Sequence, residues 1–317
     1  MSHRSLQGVP CLVLGAGGFI GGHLCQALAR AGARIHGFGR RPAFDSLPPL
    51  IRFTAGELGD RAALALAVDG AEIVFHLLGG TTPEVSNKDP AADLQANTVA
   101  SLHLLELCRA AGVRRIVFVS SGGTVYGVPE RVPTPEDAAT DPISAYGINK
   151  LMVEKYLQLY ARLGGAEAVI LRVSNPFGPF QNPLRRQGLV AALIETVMAG
   201  RPVEVWGDGQ VVRDYLYVGD LADAMLAAAV HDGPDRVLNI GSGVGRSVLE
   251  VVEAVCAVLG RSPTEIVHKP SRRADVPVNV LDITRARRTL GWTPRTAWPD
   301  GLQRTADWIA RTFPPQP

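Results

Sequence analysis

At 317 residues the chain is long enough for one large or two smaller domains with a sizeable core. Its 32 basic and 30 acidic side chains leave a net charge of +2, which makes no electrostatic case for nucleic acid or a membrane surface. No apolar run reaches the roughly 18 residues of a membrane span, and Met1–Gly8 lacks a signal-peptide core, so a cytoplasmic protein is expected.

The first predicted strand, Cys11–Leu14, lies in the apolar run Val9–Leu14. Gly15-Ala16-Gly17-Gly18-Phe19-Ile20-Gly21-Gly22 and the helical pattern His23–Arg30 follow. Buried strand, Gly-rich turn and helix start form the context of a dinucleotide fingerprint. Gly15 permits the tight turn, Gly18 lets backbone approach a pyrophosphate, and Gly21 lets helix pack on strand. The helix N-terminus offers unpaired N–H groups and a partial positive charge to the phosphates, with Gly17, Phe19 and Ile20 in the same cradle. The spacing departs from G-x-G-x-x-G, so a merely tight turn is the competing reading. Cys11, Cys25, Cys108 and Cys256 show neither metal-ligand spacing nor a secreted framework. No metal is expected, and Cys11 reads as an inert buried thiol.

Further predicted strands are Arg34–Phe38, Ile51–Thr54, Ile73–Leu77, Arg115–Val119 and Ala168–Val173. Helical patterns fall between them, including Asp93–Ala111 and Ala145–Leu163. Near-continuous apolar strands alternating with helices argue for a parallel sheet covered on both faces. The expected fold is α/β and doubly wound (Rossmann), with ligands beyond the carboxyl ends of the strands. Thr81, Ser121, Thr124 and Asn175 fall just after predicted strands, on that rim. Beyond residue 174, turn signals such as Asn182-Pro183 and Gly207-Asp208-Gly209 become frequent, and Pro314–Pro317 is expected to fray.

The predicted helix Ala145–Leu163 carries Tyr146 and Lys150, which at a spacing of four share one face. A free phenol titrates near pH ~10 and is a poor base. A neighbouring ammonium favours the phenolate and brings the group toward the working pH, where it takes and returns a proton. With six tyrosines and four lysines in the chain, chance yields such a pair with odds of about 0.08.

Together the two motifs resemble the extended short-chain dehydrogenase/reductase superfamily, especially its nucleotide-sugar epimerases. The match continues through Val119-Ser120-Ser121-Gly122-Gly123-Thr124-Val125-Tyr126-Gly127 and Arg172-Val173-Ser174-Asn175-Pro176-Phe177-Gly178. Beyond these come Trp206-Gly207-Asp208-Gly209, Arg213-Asp214-Tyr215, Asn239-Ile240-Gly241-Ser242-Gly243 and Leu290-Gly291-Trp292. The resemblance implies a dinucleotide-binding domain over 1–173 and a smaller substrate-binding α/β domain over 174–317. About 211–241 would partly return to the first. It also implies a homodimer formed by the helices Asp93–Ala111 and Ala145–Leu163.

On the cofactor side, the resemblance leads one to expect an acid at the end of the second strand, gripping a ribose 2′-hydroxyl. Here the strand ends Phe38-Gly39-Arg40-Arg41. Arginine forks suit a 2′-phosphate, so NADP is the alternative to the NAD usual among such epimerases; stacking on adenine or facing solvent is the plainer role. Glu57 matches an acid that meets adenine, or else caps a helix. Leu58, Leu77, Leu78, Gly79, Asn97, Val119 and Pro176 also match cofactor positions, and His76 reads as a core imidazole.

Relatives carry a catalytic Ser or Thr where this chain has Gly122. Thr124 is the first candidate for that hydroxyl and Ser121 the second. The loop lacks the Thr-Asp-Glu run of sugar 4,6-dehydratases, which counts against dehydration. Arg213 and Arg272 match arginines that clamp a substrate diphosphate, with a surface salt bridge as the plainer reading of each. Asn175 matches a substrate-side amide or serves a turn, and Gly188 and Leu189 match backbone N–H donors to the diphosphate. Val205 and Trp206 border the base, unless the indole is core. Thr81, Gly122, Gly123 and Asp275 complete the substrate side, and Asn279 stands where some relatives carry a bulky gatekeeper. The implied activity is NAD-dependent inversion at C4 of a UDP-sugar through a 4-keto intermediate. An NADPH-dependent keto-sugar or carbonyl reductase and a catalytically silent dinucleotide-binding module are the rivals.

Overall fold

The computed structural model describes residues 5–42, 44–48, 52–79, 82–185, 188–271 and 276–314. The chain opens with β1 (Pro10–Leu14), α1 (Phe19–Arg30), β2 (Arg34–Gly39), β3 (Arg52–Ala55), α2 (Arg61–Val68) and β4 (Ile73–His76). Two single-turn helices, α3 (Pro83–Ser86) and α4 (Pro90–Asp93), lead through a π-helical turn, Leu94–Val99, into α5 (Ala100–Ala110). Next come β5 (Arg115–Ser121), α6 (Ala145–Arg162), β6 (Glu167–Val173), β7 (Asn175–Phe177), α7 (Leu189–Met198) and β8 (Val203–Trp206). The rest comprises β9 (Val212–Tyr217), α8 (Val218–Ala229), β10 (Val237–Ile240), β11 (Gly245–Ser247), α9 (Val248–Leu259) and β12 (Ile266–Lys269). It ends with β13 (Val278–Asn279), α10 (Thr284–Leu290) and α11 (Trp298–Thr312).

Seven strands form one sheet in the order β10-β6-β5-β4-β1-β2-β3, every neighbouring pair parallel. Side chains alternate across it as the pleat requires. Cys11 and Val13 join Phe75, Val117 and Leu171 with Leu24 and Leu221 from the helices on one face. Leu12 and Leu14 join Val74, Phe118 and Ile170 with Leu104 and Leu157 on the other. That two-sided burial is why the strands read as unbroken apolar runs. β1 lies between β2 and β4, so the strand order reverses beside it. The crevice outside the strand ends at such a point is where open α/β sheets bind ligands. The doubly wound expectation is met.

Several strand and helix ends differ from expectation by one or two residues, and one predicted helix is interrupted. β3 runs Arg52–Ala55, and the predicted first residue, Ile51, lies outside the described residues. The expected single helix Asp93–Ala111 is broken by the π turn, where the Asn97 side chain donates to the Asp93 carbonyl oxygen at 3.1 Å. A side chain entering the backbone ladder is a recognised cause of such a break.

The glycine turn after β1 is held by contact as well as by conformation. Gly15 sits at φ +92, and a Cβ on Gly21 would lie 2.1 Å from the Gly15 oxygen and 2.8 Å from Ala16 Cα. Both obstacles are backbone. Gly21→Ala is therefore expected to cost about 2 kcal/mol of stability by overpacking, read as a lower urea midpoint at unchanged slope. An unchanged midpoint would contradict this packing.

In the second half, β9 pairs with β7, β11 and β13, while β8 pairs with β12. Their apolar faces meet α7, α9 and α11 around Phe177, Ile194, Val203, Tyr215, Val251 and Ile309. β10, also from the second half, completes the edge of the large sheet against β6. No helix among the described residues is long and apolar enough to cross a membrane.

Candidate active site

Local capping sets the position of the Tyr146–Lys150 pair. Ser144 Oγ accepts from Gly147 N at 3.2 Å and starts α6 there. Asn87 Oδ1 accepts from Ala145 N and Ser86 Oγ from Tyr146 N, each at 2.9 Å, so the first turn is tied to the end of α3. One turn on, the Lys150 ammonium donates to the Val119 carbonyl at 3.0 Å and lies 4.9 Å from the Phe118 ring centroid. Gly79 passes close by at φ +155, and a Cβ there would stand 2.7 Å from Lys150 Nζ. A side chain there would force that ammonium to shift.

Ser121, at the end of β5, is the hydroxyl close enough to Tyr146 to lower its phenol's pKa. Thr124, the first candidate from sequence, keeps its Oγ1 buried with no partner. In the tight turn that follows, Thr124 N and Val125 N both return to the Ser121 carbonyl, at 3.2 and 3.1 Å. The expected lowering of the phenol is also not met. Burial, aided by the Asp93 charge, pushes Tyr146 up to about 12, and the Ser121 hydrogen bond offsets only part of that. Lys150 lies 5.8 Å from the centre of the Tyr146 ring. Burial brings Lys150 down to about 8, against the pull of Glu154 and Asp93. His76 donates to or accepts from Ser101 Oγ at 2.9 Å, while its Nδ1 has no partner. Burial and then the Lys150 charge take it to about 3, so it is neutral, as a core imidazole should be.

Tyr146, Lys150, Leu78, Gly79 and Asn97 line one small cavity. Asp93 and Asn149, which no motif singled out, line it too. The four-residue spacing of Asp93 and Asn97 is the signal in the sequence that points to Asp93.

Toward the cofactor side, α1 begins at Gly18 with no side-chain cap, which leaves first-turn N–H groups for a ligand. Gly15 ties the turn to its neighbours: its N–H donates to the Phe38 carbonyl at 2.8 Å, and a Cβ on it would stand 3.4 Å from both the Leu77 and Leu78 side chains. Gly17, Phe19 and Ile20 are half-buried around it. Gly39 ends β2 at φ +134, and Arg40 and Arg41 are exposed. Glu57 does not cap α2; Asp60 does, accepting from Ala63 N at 3.0 Å. Leu58 is packed into the core, and Val119 offers its carbonyl to Lys150. Pro176 is half-buried in β7.

Among the substrate-side residues, Thr81, Arg272 and Asp275 lie outside the described residues. Arg213 Nη1 donates to the backbone oxygens of Val212 at 2.9 Å and Val276 at 2.6 Å. Asn175 Nδ2 donates to the Asp214 carbonyl at 3.1 Å. Gly188, at φ +95, starts α7 without a side-chain cap, and Leu189 is its first residue. Val205, expected beside the base, is instead core, whereas Trp206 next to it is 43% exposed. Strand alternation puts the two on opposite faces. Gly122 turns toward Leu281 and gives its carbonyl to Asn279 Nδ2 at 3.1 Å, while a Cβ on Gly123 would stand 3.9 Å from Ser121 Oγ. Asn279 Oδ1 is buried without a partner.

A model of the NAD dependent epimerase/dehydratase family matches residues 11–241. The chain is 35% identical over 306 residues to the UDP-glucose 4-epimerase of Mycolicibacterium smegmatis, covering 94% of this chain and 97% of that one. The structure of the Thermotoga maritima UDP-glucose 4-epimerase with UDP-glucose is similar at a TM-score of 0.92 and 35% identity, over 96% of this chain and 100% of that one. That of the Thermus thermophilus UDP-glucose 4-epimerase in complex with NAD gives 0.88 at 32% identity, over 96% and 100%.

Proposed function

We propose that this chain, which belongs to the NAD dependent epimerase/dehydratase family, inverts C4 of a UDP-sugar through a transient 4-keto intermediate. The observation that carries the reading is the gathering of Tyr146, Ser121 and Lys150 at the carboxyl edge of a parallel sheet, beside an uncapped glycine turn.

The residues present fit NAD. Gly15, Gly17, Gly18, Phe19, Ile20 and Gly21 would hold the pyrophosphate on the free N–H groups of α1. Lys150 would hold the nicotinamide ribose, with Leu78, Gly79 and Asn97 lining the same space. NAD, when bound, supplies a reversible hydride acceptor and a positive ring beside the phenol. Tyr146 takes the proton of the sugar 4-hydroxyl as C4 is oxidised and returns it after the keto sugar has turned. Its high resting pKa means that it ionises only with positive charge beside it, and the Lys150 ammonium is the protein's contribution. Ser121 orients the reacting oxygen. Asn175, Arg213, the α7 N-terminus at Gly188 and Leu189, and the exposed Trp206 would hold the nucleotide diphosphate.

Ser121→Ala is expected to lower kcat about 10- to 100-fold, the loss of a hydrogen bond to a charged group of about 1.5–3 kcal/mol. Thr124→Ala should stay within about threefold on the same scale. The reverse order, in steady-state kinetics, would reassign the hydroxyl.

The same reading includes a dinucleotide-binding unit over 1–173, a substrate unit over 174–317, a cytoplasmic location and a homodimer. Ile148, Leu159 and Leu163, exposed along α6, supply an apolar face for a second copy. A reductase using NADPH is the second reading, favoured by Gly39 in place of an acid and by the exposed Arg40 and Arg41. Mass spectrometry of the cofactor released from purified protein, followed by a screen of UDP-sugars for C4 inversion, separates the two. Retained NAD and turnover without added cofactor are expected. Stoichiometric consumption of NADPH would reject the epimerase.

A further inference from the structure

Asp93 closes α4 where the π-helical turn begins. In that turn Asn97 Nδ2 donates both to the Asp93 backbone oxygen, at 3.1 Å, and to its carboxylate Oδ1, at 2.8 Å. From α6, Asn149 Nδ2 donates to Asp93 Oδ2 at 2.7 Å. Thr98 Oγ1 donates to Asn149 Oδ1 at 3.2 Å, and this fixes which end of the amide meets the carboxylate. Asp93 is 4% exposed, and the amides that grip it are neutral. It lines the same small cavity as Tyr146 and Lys150. Of the residues that line this cavity Lys150 is the cation, and the Asp93 charge favours its protonated form.

Resting on the epimerase reading, we infer that Asp93 is a positioning residue for this reaction: a fixed counter-charge that keeps the Lys150 ammonium charged and in place beside Tyr146. It acts through Lys150 and does not touch the reacting sugar. Lys150 is faced by Tyr146 and Glu154 from α6, by His76 from β4, and beyond Glu154 by Arg172 from β6. Tyr146 is protonated at rest and His76 is neutral. Glu154 is the larger charge supporting the ammonium, with Asp93 second, and Glu154 is also paired with Arg172, whose Nη2 lies 2.7 Å from Oε2. Asp93 is the carboxylate held next to the pair by amides. Asp93 and Asn97 both line the cavity where the π turn begins, and π turns often mark functional sites.

The chain has four lysines, so Lys150 can be followed by lysine-selective carbon NMR and identified by the signal lost in Lys150→Met. In Asp93→Asn the Lys150 titration midpoint is expected to fall by about one pH unit or more, a roughly tenfold or greater loss of proton affinity. The alkaline limb of kcat should move down with it while KM for the UDP-sugar holds. An unshifted Lys150 midpoint would overturn the proposal, even if turnover fell, because a merely structural role leaves that midpoint in place. Asp93→Ser provides the same reading should Asp93→Asn fold poorly. The titration needs no turnover, so an inactive wild-type protein would reject the epimerase assignment and still leave the Asp93–Lys150 coupling measurable.

Discussion

Replacing Tyr146 with Phe is expected to lower turnover of the UDP-sugar by about 10³- to 10⁴-fold, the upper part of what a positioned acid–base group contributes. The purified variant should still carry its dinucleotide. Phe keeps the ring near Lys150, and the backbone contacts that place the residue, Tyr146 N to Ser86 Oγ and the Ser144 cap of α6, do not involve the phenol. One oxygen is lost and the fold is not. The wild-type pH profile follows from the neighbouring ammonium. Burial places Lys150 at about 8, so its charge is present below that pH and is lost as pH rises through it. The phenol then loses the cation that favours its ionised form, and the rate should fall above about pH 8. Near-normal turnover in Tyr146→Phe, measured with the same retained cofactor, would reject the mechanism.

Much of this site was legible in the sequence because its parts are local. The glycine turn, the helix that follows it and the Tyr146–Lys150 spacing each occupy fewer than a dozen consecutive residues, and periodicity alone places them on a strand end or a helix face. What was not legible depends on contacts between distant segments. Ser121 and Thr124 lie in one loop, whose turn is set by two backbone bonds to the Ser121 carbonyl. The phenol's high pKa depends on burial and on Asp93, more than 50 residues earlier. The π turn interrupts a helix whose apolar spacing continues across it, because one amide side chain outcompetes a backbone donor there. For Val205 and Trp206, both expected beside the base, alternation along β8 sends the first inward and the second outward.

The stability prediction with the largest effect concerns a pair one turn beyond Lys150 on the same helix. Glu154 is fully buried, and Arg172 of β6 meets it with Nη2 to Oε2 at 2.7 Å and Nε to both oxygens at 3.2 Å. Ser120 Oγ donates to the same carboxylate, and the guanidinium lies 4.9 Å from the Tyr126 ring centroid. Arg172→Leu strands that carboxylate without its cation and is expected to cost about 3–5 kcal/mol, read from urea unfolding. Joining Glu154→Leu to it removes the stranded charge, so the double variant should recover most of the loss. Strict additivity of the two single changes would show that the pair is not coupled. The consequence reaches the chemistry, because Ser120 precedes Ser121 and Glu154 shares a helix face with Lys150 and Tyr146. Arg172→Leu should therefore lower kcat in the fraction that remains folded, whereas a distant core change of equal cost should not.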